Sequence, residues 1–235
     1  MSLFTGIGGF DLGLERAGMQ CVAQAEIDPY CNKVLEMRWP NVPNYGDVRN
    51  VTSTTADLVC GGPPCQPVSQ AAARTERGDG WLWPEMRRAI EVVAPRWVIF
   101  ENPESVRYKN RGLGIVLRDL TALRYDCLWD VLPASLFGAP HRRARIWVVA
   151  NSNRDGKSKL FLYAKTHQLQ KPQIADRSWP NPPANIRVDD GVSGELDRLR
   201  VKALGNAVVP LIAEWIGKRI VEADAVASQI TRDAV

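Results

Sequence analysis

Several features that would place this chain in other classes of protein are missing from its sequence. No apolar run approaches the roughly 18 residues of a membrane-spanning helix, and no basic segment followed by an apolar stretch opens the chain, so we expect neither membrane insertion nor secretion. With two histidines, His141 and His167, and no Cys-x-x-Cys pair, no metal site is expected. Five cysteines without a secretory signal favour reduced thiols and a cytoplasmic location.

The length and the apolar fraction of the chain allow one substantial hydrophobic core. The chain has 235 residues, of which 45% are apolar and 24% charged, enough for one domain with a small appended segment. The net charge is only +4, but 22 arginines stand against 8 lysines. Arginine suits planar recognition of phosphate groups or base edges, although an ordinary solvated surface would account for the charge equally well.

Short apolar runs alternate with helical patterns along the first 150 residues, which is typical of a parallel α/β sheet. The candidate strands are residues 2–5, 21–27, 56–60, 97–101, 127–132 and 145–150. Between them, apolar residues at helical spacing predict one helix that stops at Gly18 and another that opens at Pro84 and ends before Pro95.

The later part of the chain is organised differently. Residues 1–150 are expected to form the main domain, and residues 151–202 a polar, proline-containing and loop-rich insertion without a core of its own. A last helix is expected within residues 203–225, where an apolar stripe predicts that it folds back onto the sheet and Pro210 is tolerated in the first turn. Residues 226–235 would then form a tail.

The segment "SLFTGIGGFDLGLERAG", residues 2–18, predicts a strand, a glycine-rich turn and a helix. In such a turn, backbone N–H groups and a helix N-terminus can approach a ligand closely. Glu26 ends the second candidate strand, where a carboxylate can bind a ribose diol, and Asp47 is expected to end another. Either acid alone could be a surface carboxylate, but the three features in this order favour a nucleoside cofactor.

A single cysteine lies in the constrained segment "GGPPCQPVSQ", residues 61–70. Because Pro64 and Pro67 restrict the backbone around Cys65, its thiol should be presented at the carboxyl edge of the sheet. "IFENPES" places Glu101 at the carboxyl end of the next core strand, facing the same crevice. A thiol opposite a carboxyl can act as a nucleophile beside a proton donor, whereas a structural cysteine would be buried and inert.

The arginines of "APHRRARIWVV", residues 139–149, form another candidate cluster. Arg143 and Arg145 stand two residues apart in an extended segment, which would put both guanidinium groups on one side of a strand. For Arg142 we expect a solvated or phosphate-binding position.

Taken together, these segments resemble the DNA (cytosine-5)-methyltransferase family. "LFTGIGGF" is similar to its cofactor-loop motif, "GGPPCQPVS" to its catalytic-cysteine motif, "ENPESV" to its Glu-Asn motif, "HRRARI" to its Gln-x-Arg-x-Arg motif and "GNAVVP" to its C-terminal Gly-Asn motif. The resemblance covers residues 2–150 and about 203–225. Ser2 replaces the aspartate that usually opens the first motif, Pro103 the usual valine, and His141 the usual glutamine.

The resemblance implies a Rossmann-like, class I fold dependent on S-adenosyl-L-methionine, with residues 151–202 as a minimal target-recognition segment. The implied cofactor pocket consists of Phe4, Gly6, Ile7 and Gly9 at the methionine end, Glu26 at the ribose, Ile27, Asp47 and Val48 at the adenine, and Leu82 and Asn206 closing it. In the implied reaction Cys65 attacks C6 of a flipped-out cytosine, Glu101 donates a proton to N3, Arg145 holds O2 and Arg143 orients the thiol or the base. The loop of residues 70–80 would close over the DNA.

Double-stranded DNA is the implied partner of a monomeric enzyme, with a cognate restriction endonuclease as a further implied partner. Two other functions stay open from the residues: an RNA (tRNA) cytosine-5 methyltransferase, which would share the same cysteine chemistry, and a non-catalytic DNA-binding regulatory relative. The survival of Cys65, Glu101 and Arg145 speaks against the last of these.

Overall fold

Helices cover both faces of a six-stranded sheet in the computed structural model of this protein, which describes residues 1–52, 54–65, 80–108, 112–156, 158–160 and 194–233. The strands are β1 (Ser2–Leu3), β2 (Gln24–Ala25), β3 (Leu58–Gly61), β4 (Trp97–Pro103), β5 (Tyr125–Pro133) and β6 (Ala144–Ser152). The helices are α1 (Gly9–Arg16), α2 (Pro29–Arg38), α3 (Trp83–Val93), α4 (Leu113–Ala122), α5 (Gly194–Asn206) and α6 (Pro210–Asp233). All six predicted strands are therefore confirmed, with ends that differ by a few residues. None of the described helices is both long and apolar enough to cross a membrane.

One strand of the sheet runs against the others. The order is β2-β1-β3-β4-β6-β5, with the first four strands parallel and β6 antiparallel to both of its neighbours. The expectation of an all-parallel sheet is therefore wrong for β6. Residues 134–143 alone connect β5 to β6, and this connection is too short for the crossover that a parallel pair of neighbours requires.

Alternating side chains of the central strands point into two separate apolar layers. Val98 and Phe100 of β4 pack with α3 and α4 on one face of the sheet. Trp97 and Ile99 pack with α1 and α6 on the other face. The same alternation directs Glu101, the next residue in the second series, toward the face that α1 and α6 cover.

Helices α1 and α6 approach each other so closely that glycine is required at the contact. A Cβ atom on Gly13 would lie 2.4 Å from the carbonyl oxygen of Pro210 and 2.6 Å from the Cβ of Ala213. A Cβ on Gly217 would lie 2.8 Å from that of Ala17. The prediction that the last helix folds back onto the sheet is thus confirmed.

The C-terminal part of the chain forms two helices, whereas the sequence predicts one helix within residues 203–225. Helix α5 ends at Asn206, within the range expected to hold one helix, and α6 begins at Pro210 and continues to Asp233. A proline fits the first helical position because its missing N–H would have no helical partner there, which explains the break before α6. No glycine or proline follows Gly217, so the expected tail is helical as far as Asp233. Residues 161–193, most of the expected insertion, lie outside the described residues.

Replacing Gly13 by alanine tests the contact between α1 and α6. Because the new methyl group would meet the backbone of Pro210, we expect Gly13→Ala to lower the free energy of unfolding by about 1–3 kcal/mol. Urea denaturation of the purified chain measures it. The control is Gly114→Ala on α4, where a Cβ meets nothing within 4 Å and alanine should raise the free energy of unfolding by about 0.5–1 kcal/mol. Equal effects of the two substitutions would contradict the packing described above.

Candidate active site

The turn between β1 and α1 depends on backbone conformations that few side chains adopt. Phe4, Gly6 and Gly8 all have left-handed φ angles, of 53°, 58° and 82°. A Cβ atom on Gly8 would lie 2.3 Å from the indole ring of Trp39. A Cβ on Gly6 would meet nothing within 4 Å, so open space lies beside this turn, next to the half-buried Ile7.

Glu26 joins this glycine turn to the carboxyl end of β2. One oxygen of its carboxylate accepts a hydrogen bond from the Gly6 N–H at 2.7 Å, and the other accepts one from the Asp28 N–H at 2.7 Å. The adjacent Ile27 side chain is 67% exposed. Each oxygen keeps a second lone pair. A fixed carboxylate beside an exposed apolar side chain can therefore receive the hydroxyls and the flat base of a nucleoside.

Asp47 and Val48, predicted to bind the base, do not follow a strand. The Asp47 carboxylate accepts a hydrogen bond from the Arg49 N–H at 2.9 Å and so caps a single 3₁₀ turn, Val48–Asn50. Aspartate commonly forms such local side-chain bonds in place of strand pairing. The Val48 side chain is only 4% exposed because it belongs to the core. A ligand could therefore contact only its backbone.

The segment that follows α5 returns to the glycine turn. A Cβ on Gly9 would lie 2.5 Å from the carbonyl oxygen of Val208, so only glycine permits this approach. The exposed Asn206 ends α5, and Lys202 of the same helix forms an ion pair of 3.1 Å with Asp28. Predicted cofactor-binding residues from the two ends of the sequence thus lie close together.

Cys65 lies four residues after β3 and is half-buried. Its backbone forms an isolated antiparallel bridge with Trp81, and the Leu82 N–H donates to the Pro64 carbonyl oxygen at 3.4 Å. The predicted cofactor residue Leu82 therefore adjoins residues 62–65, which we call the Cys65 loop. Burial raises the pKa of each of the other four cysteines, which remain protonated thiols near neutral pH: Cys21, Cys31, Cys60 and Cys127.

Consecutive residues at the end of β4 hold the Cys65 loop. Asn102 donates from Nδ2 to the Pro63 carbonyl oxygen at 2.8 Å, in a buried position. A Cβ atom on Gly62 would lie 3.0 Å from Oε2 of Glu101, so the loop backbone packs against the carboxyl group. No role for Asn102 is predicted from the sequence, although the match of "ENPESV" to the Glu-Asn motif includes it. The loop that carries Cys65 is therefore fixed to the strand that carries Glu101.

The Glu101 carboxyl is buried and paired with an arginine. Glu101 is only 8% exposed, and Nε of Arg145 lies 3.1 Å from its Oε1 atom. Burial raises the pKa of Glu101 to about 7, while the positive charges of Arg145 and Arg143 act to lower it. The antiparallel register explains the pairing, because β6 places Arg145 opposite Pro103, diagonally across from Glu101.

Arg143 lies outside β6, contrary to the expectation that it shares an extended strand with Arg145, although its charge still acts on the pKa of Glu101. It precedes β6 and has a left-handed φ of 30°, which turns the chain before the strand begins. Its Nη1 donates to the carbonyl oxygen of Gly205 at 2.8 Å, and its Nη2 to that of Ala207 at 2.7 Å. Arg142 is exposed, as expected.

A buried carboxylate that the sequence analysis did not single out supports the glycine turn. Asp11 is 3% exposed and accepts hydrogen bonds from Ser2 Oγ at 2.8 Å, Cys21 Sγ at 2.9 Å and Gln24 Nε2 at 3.2 Å. These bonds connect α1 to β1 and to the segment that leads into β2. The available signal was a serine at position 2 with an aspartate nine residues later.

A sheet with one antiparallel strand, a glycine turn after β1 and a carboxylate after β2 define a Rossmann-like methyltransferase fold. Solved structures with the same fold include a variant of Spodoptera frugiperda DNMT2, which is 20% identical with a TM-score of 0.54 and matches 66% of this chain and 50% of its own. S. pombe Dnmt2 methyltransferase is 19% identical with a TM-score of 0.50 over 72% of this chain and 54% of its own.

The particular family follows from the sequence. The family model for C-5 cytosine-specific DNA methylase matches residues 1–192, and the chain belongs to this family, as predicted. Type II methyltransferase M.HgiCII of Herpetosiphon aurantiacus is 34% identical over 198 residues, 77% of this chain and 45% of the relative. Type II methyltransferase M.HhaI of Haemophilus parahaemolyticus is 32% identical over 176 residues, 72% of this chain and 53% of the relative. The chain spans about half the length of these curated relatives.

The pH dependence of stability tests the environment of Glu101. The pKa of Glu101 in the folded chain, about 7, lies above the ordinary value of 4.5. The contribution of Glu101 to the free energy of unfolding is therefore largest at pH values below 4.5, where the carboxyl is protonated in both states, and it is lost as the pH rises through 7. Between about pH 5 and pH 8, the free energy of unfolding of the wild-type chain should therefore fall by about 1–3 kcal/mol relative to Glu101→Gln. Urea denaturation at both pH values measures the difference. Glu91→Gln, an exposed position on α3, should keep the wild-type profile, and parallel profiles for wild type and Glu101→Gln would refute the prediction.

Proposed function

We propose that this chain is a DNA (cytosine-5)-methyltransferase, which transfers a methyl group from S-adenosyl-L-methionine to C5 of a cytosine flipped out of duplex DNA. The observation that carries the proposal is the packing of the Cys65 loop against a buried carboxyl, Glu101, that is paired with Arg145. Membership of the C-5 cytosine-specific DNA methylase family supports the same reaction.

In the proposed mechanism Cys65 is the nucleophile, because cytosine C5 is too weakly nucleophilic to react unaided. The thiolate of Cys65 forms a bond to C6 while Glu101 transfers its proton to N3, so that the ring becomes enamine-like at C5. After C5 has gained its methyl group, a base removes the C5 proton, the electrons restore the ring and expel the thiolate, and N3 returns its proton to Glu101. Arg145 would hold O2 of the base.

The environment of Glu101 suits a proton donor. With a pKa raised to about 7 by burial, a substantial fraction of its carboxyl groups is protonated at neutral pH. An exposed glutamic acid with the ordinary value of 4.5 would be almost entirely ionised there. Arg145 opposes this effect but also fixes the carboxyl through the contact at Oε1. Arg145 therefore orients the Glu101 carboxyl, and Glu101 keeps a proton that it can donate to the base.

The residues around the glycine turn fit S-adenosyl-L-methionine. The space beside Gly6, the Glu26 carboxylate and the exposed Ile27 can accommodate, in turn, the methionine end, the ribose hydroxyls and the adenine. The cofactor would supply an electrophilic methyl group on its sulfonium. Asn206, which ends α5, and Leu82, which directly precedes α3, would close this pocket.

Double-stranded DNA is the proposed substrate, and the target base must leave the stack to reach a thiol at the sheet edge. Residues 70–79, almost all of the loop expected to close over DNA, lie outside the described residues. So does most of the expected target-recognition segment. A monomeric state, a cytoplasmic location and a cognate endonuclease stay predictions.

Substitution of Cys65 tests the nucleophile. We expect Cys65→Ala to abolish methyl transfer and covalent capture of DNA that contains 5-fluorocytosine, because no sulfur remains to bond C6. Binding of S-adenosylmethionine should be retained, since the glycine turn and Glu26 are unchanged. Transfer of a tritiated methyl group to duplex DNA measures activity. A denaturing gel shift measures covalent capture, and equilibrium dialysis measures binding of the cofactor.

Cys127→Ala is the matched control, because Cys127 is also half-buried but lies on the edge strand β5. It should behave as the wild type does. Equal methyl transfer by Cys65→Ala would rule out the nucleophile assignment. Transfer by the wild type to tRNA with none to duplex DNA would move the function to RNA methylation, and cofactor binding without any covalent capture would favour the regulatory alternative.

A further inference from the structure

Arg143 forms two hydrogen bonds with the turn that follows α5. We propose that Arg143 is a positioning residue: its guanidinium fixes the turn after α5 against the glycine turn, and so completes the cofactor pocket, instead of contacting the thiol or the target base. This inference rests on the proposed function for the identity of the cofactor. It assigns the two arginines that flank Ala144 to different tasks.

The first support is the hydrogen bonding of the guanidinium. Nη1 and Nη2 donate to two carbonyl oxygens, those of Gly205 and Ala207, at 2.8 and 2.7 Å. These residues flank Asn206, which the sequence analysis placed in the cofactor pocket. The planar fork of arginine suits two neighbouring acceptors, whereas the ammonium group of lysine cannot reproduce that geometry.

The second support is where these carbonyls lie in the fold. The last four carbonyl groups of a helix have no partner within it, and the C-terminal end carries partial negative charge. Helix α5 ends at Asn206, so the cationic side chain of Arg143 caps this end. The bonds bring together residues more than 60 positions apart and hold the helix end at the start of β6.

The capped turn leads directly to the cofactor-binding turn. One residue after Ala207, the carbonyl oxygen of Val208 lies 2.5 Å from where a Cβ on Gly9 would stand. Another tie between the described part of α5 and this region is the ion pair of Lys202 with Asp28, whose lysine side chain is 62% exposed. Exposed pairs contribute little to stability, so the Arg143 contacts are the firmer attachment.

The backbone of Arg143 also points to a fixed position. A φ of 30° is unfavourable for a residue with a side chain, and such conformations persist where the surroundings hold them in place. Burial and the nearby charge of Arg145 lower the pKa of Arg143, and the charge of Glu101 acts to raise it. The two carbonyl oxygens satisfy the donors of this partly buried guanidinium. Arg145 meanwhile contacts Glu101.

Arg143→Gln tests the proposal in the 235-residue chain. We expect the Kd for S-adenosylhomocysteine, measured by calorimetry without DNA, to rise about 10- to 100-fold because two charge-assisted bonds are lost. At saturating cofactor, covalent capture of 5-fluorocytosine DNA should recover most of the wild-type level, because Cys65, Glu101 and Arg145 remain in place. In the ligand-free protein, amide hydrogen exchange of residues 203–209 should become faster. Arg143→Lys should recover part of the affinity.

Arg154→Gln is the matched control, because Arg154 also donates to a helix-end carbonyl oxygen, that of Ala94, and its other described contact is with Tyr125, which is not a predicted site residue. It should leave the Kd and the exchange of residues 203–209 unchanged. Loss of DNA capture by Arg143→Gln at saturating cofactor, with an unchanged Kd, would overturn the proposal in favour of a contact with the base or thiol.

An unchanged Kd with unchanged exchange would overturn the proposal as well. If Arg143→Gln does not fold, Arg143→Lys provides the same comparison through a smaller loss of affinity. A wild-type chain that neither binds S-adenosylhomocysteine nor captures DNA would refute the proposed function, whereas the exchange of residues 203–209 would still show whether Arg143 holds the turn.

Discussion

A carboxyl group buried at the end of β4 is the constraint on which the site depends. Water is largely excluded from Glu101, which disfavours its charge, while the guanidinium of Arg145 favours it. The opposed effects leave the pKa near 7. This balance requires an arginine diagonally across a neighbouring strand, which the antiparallel β6 provides. The one reversed strand of the sheet is thus also the strand that supplies the counter-charge.

The same carboxyl constrains the chain around it. Gly62 leaves room for Oε2, and Asn102 holds the Pro63 carbonyl from the opposite face of β4, so the Cys65 loop has little freedom to move away. On the other side, α1 and α6 cover the face toward which Glu101 points. Their close contact needs Gly13 and Gly217, and it places the segment around Val208 beside the glycine turn. The helix pair therefore covers the sheet face toward which Glu101 points and also borders the glycine turn.

Much of this arrangement could be predicted from the sequence, because the features involved are local. Apolar runs bounded by turn residues marked all six strands, and motif order placed Glu26, Cys65 and Glu101 at one edge. The direction of β6 depends on the length of the connection from β5, which the apolar pattern does not contain. Arg143 and Asp47 were misplaced for a similar reason: a left-handed φ and a side-chain cap each override the extended pattern that the surrounding residues suggest.

Two departures of this chain from the family pattern, at Ser2 and Pro103, lie where the surrounding structure accommodates them. The usual first-motif aspartate is Ser2, but Asp11 supplies a buried carboxylate to that same serine from α1, so the polar contact below the glycine turn persists. Pro103 ends β4, where a residue without an N–H is tolerated because the strand pairing stops there. Neither change alters Cys65, Glu101 or Arg145, and neither lies among the hydrogen bonds that hold the Cys65 loop. The described contacts that hold these three residues come from the loop after β3, from β4 and β6, and from the segment that precedes α3.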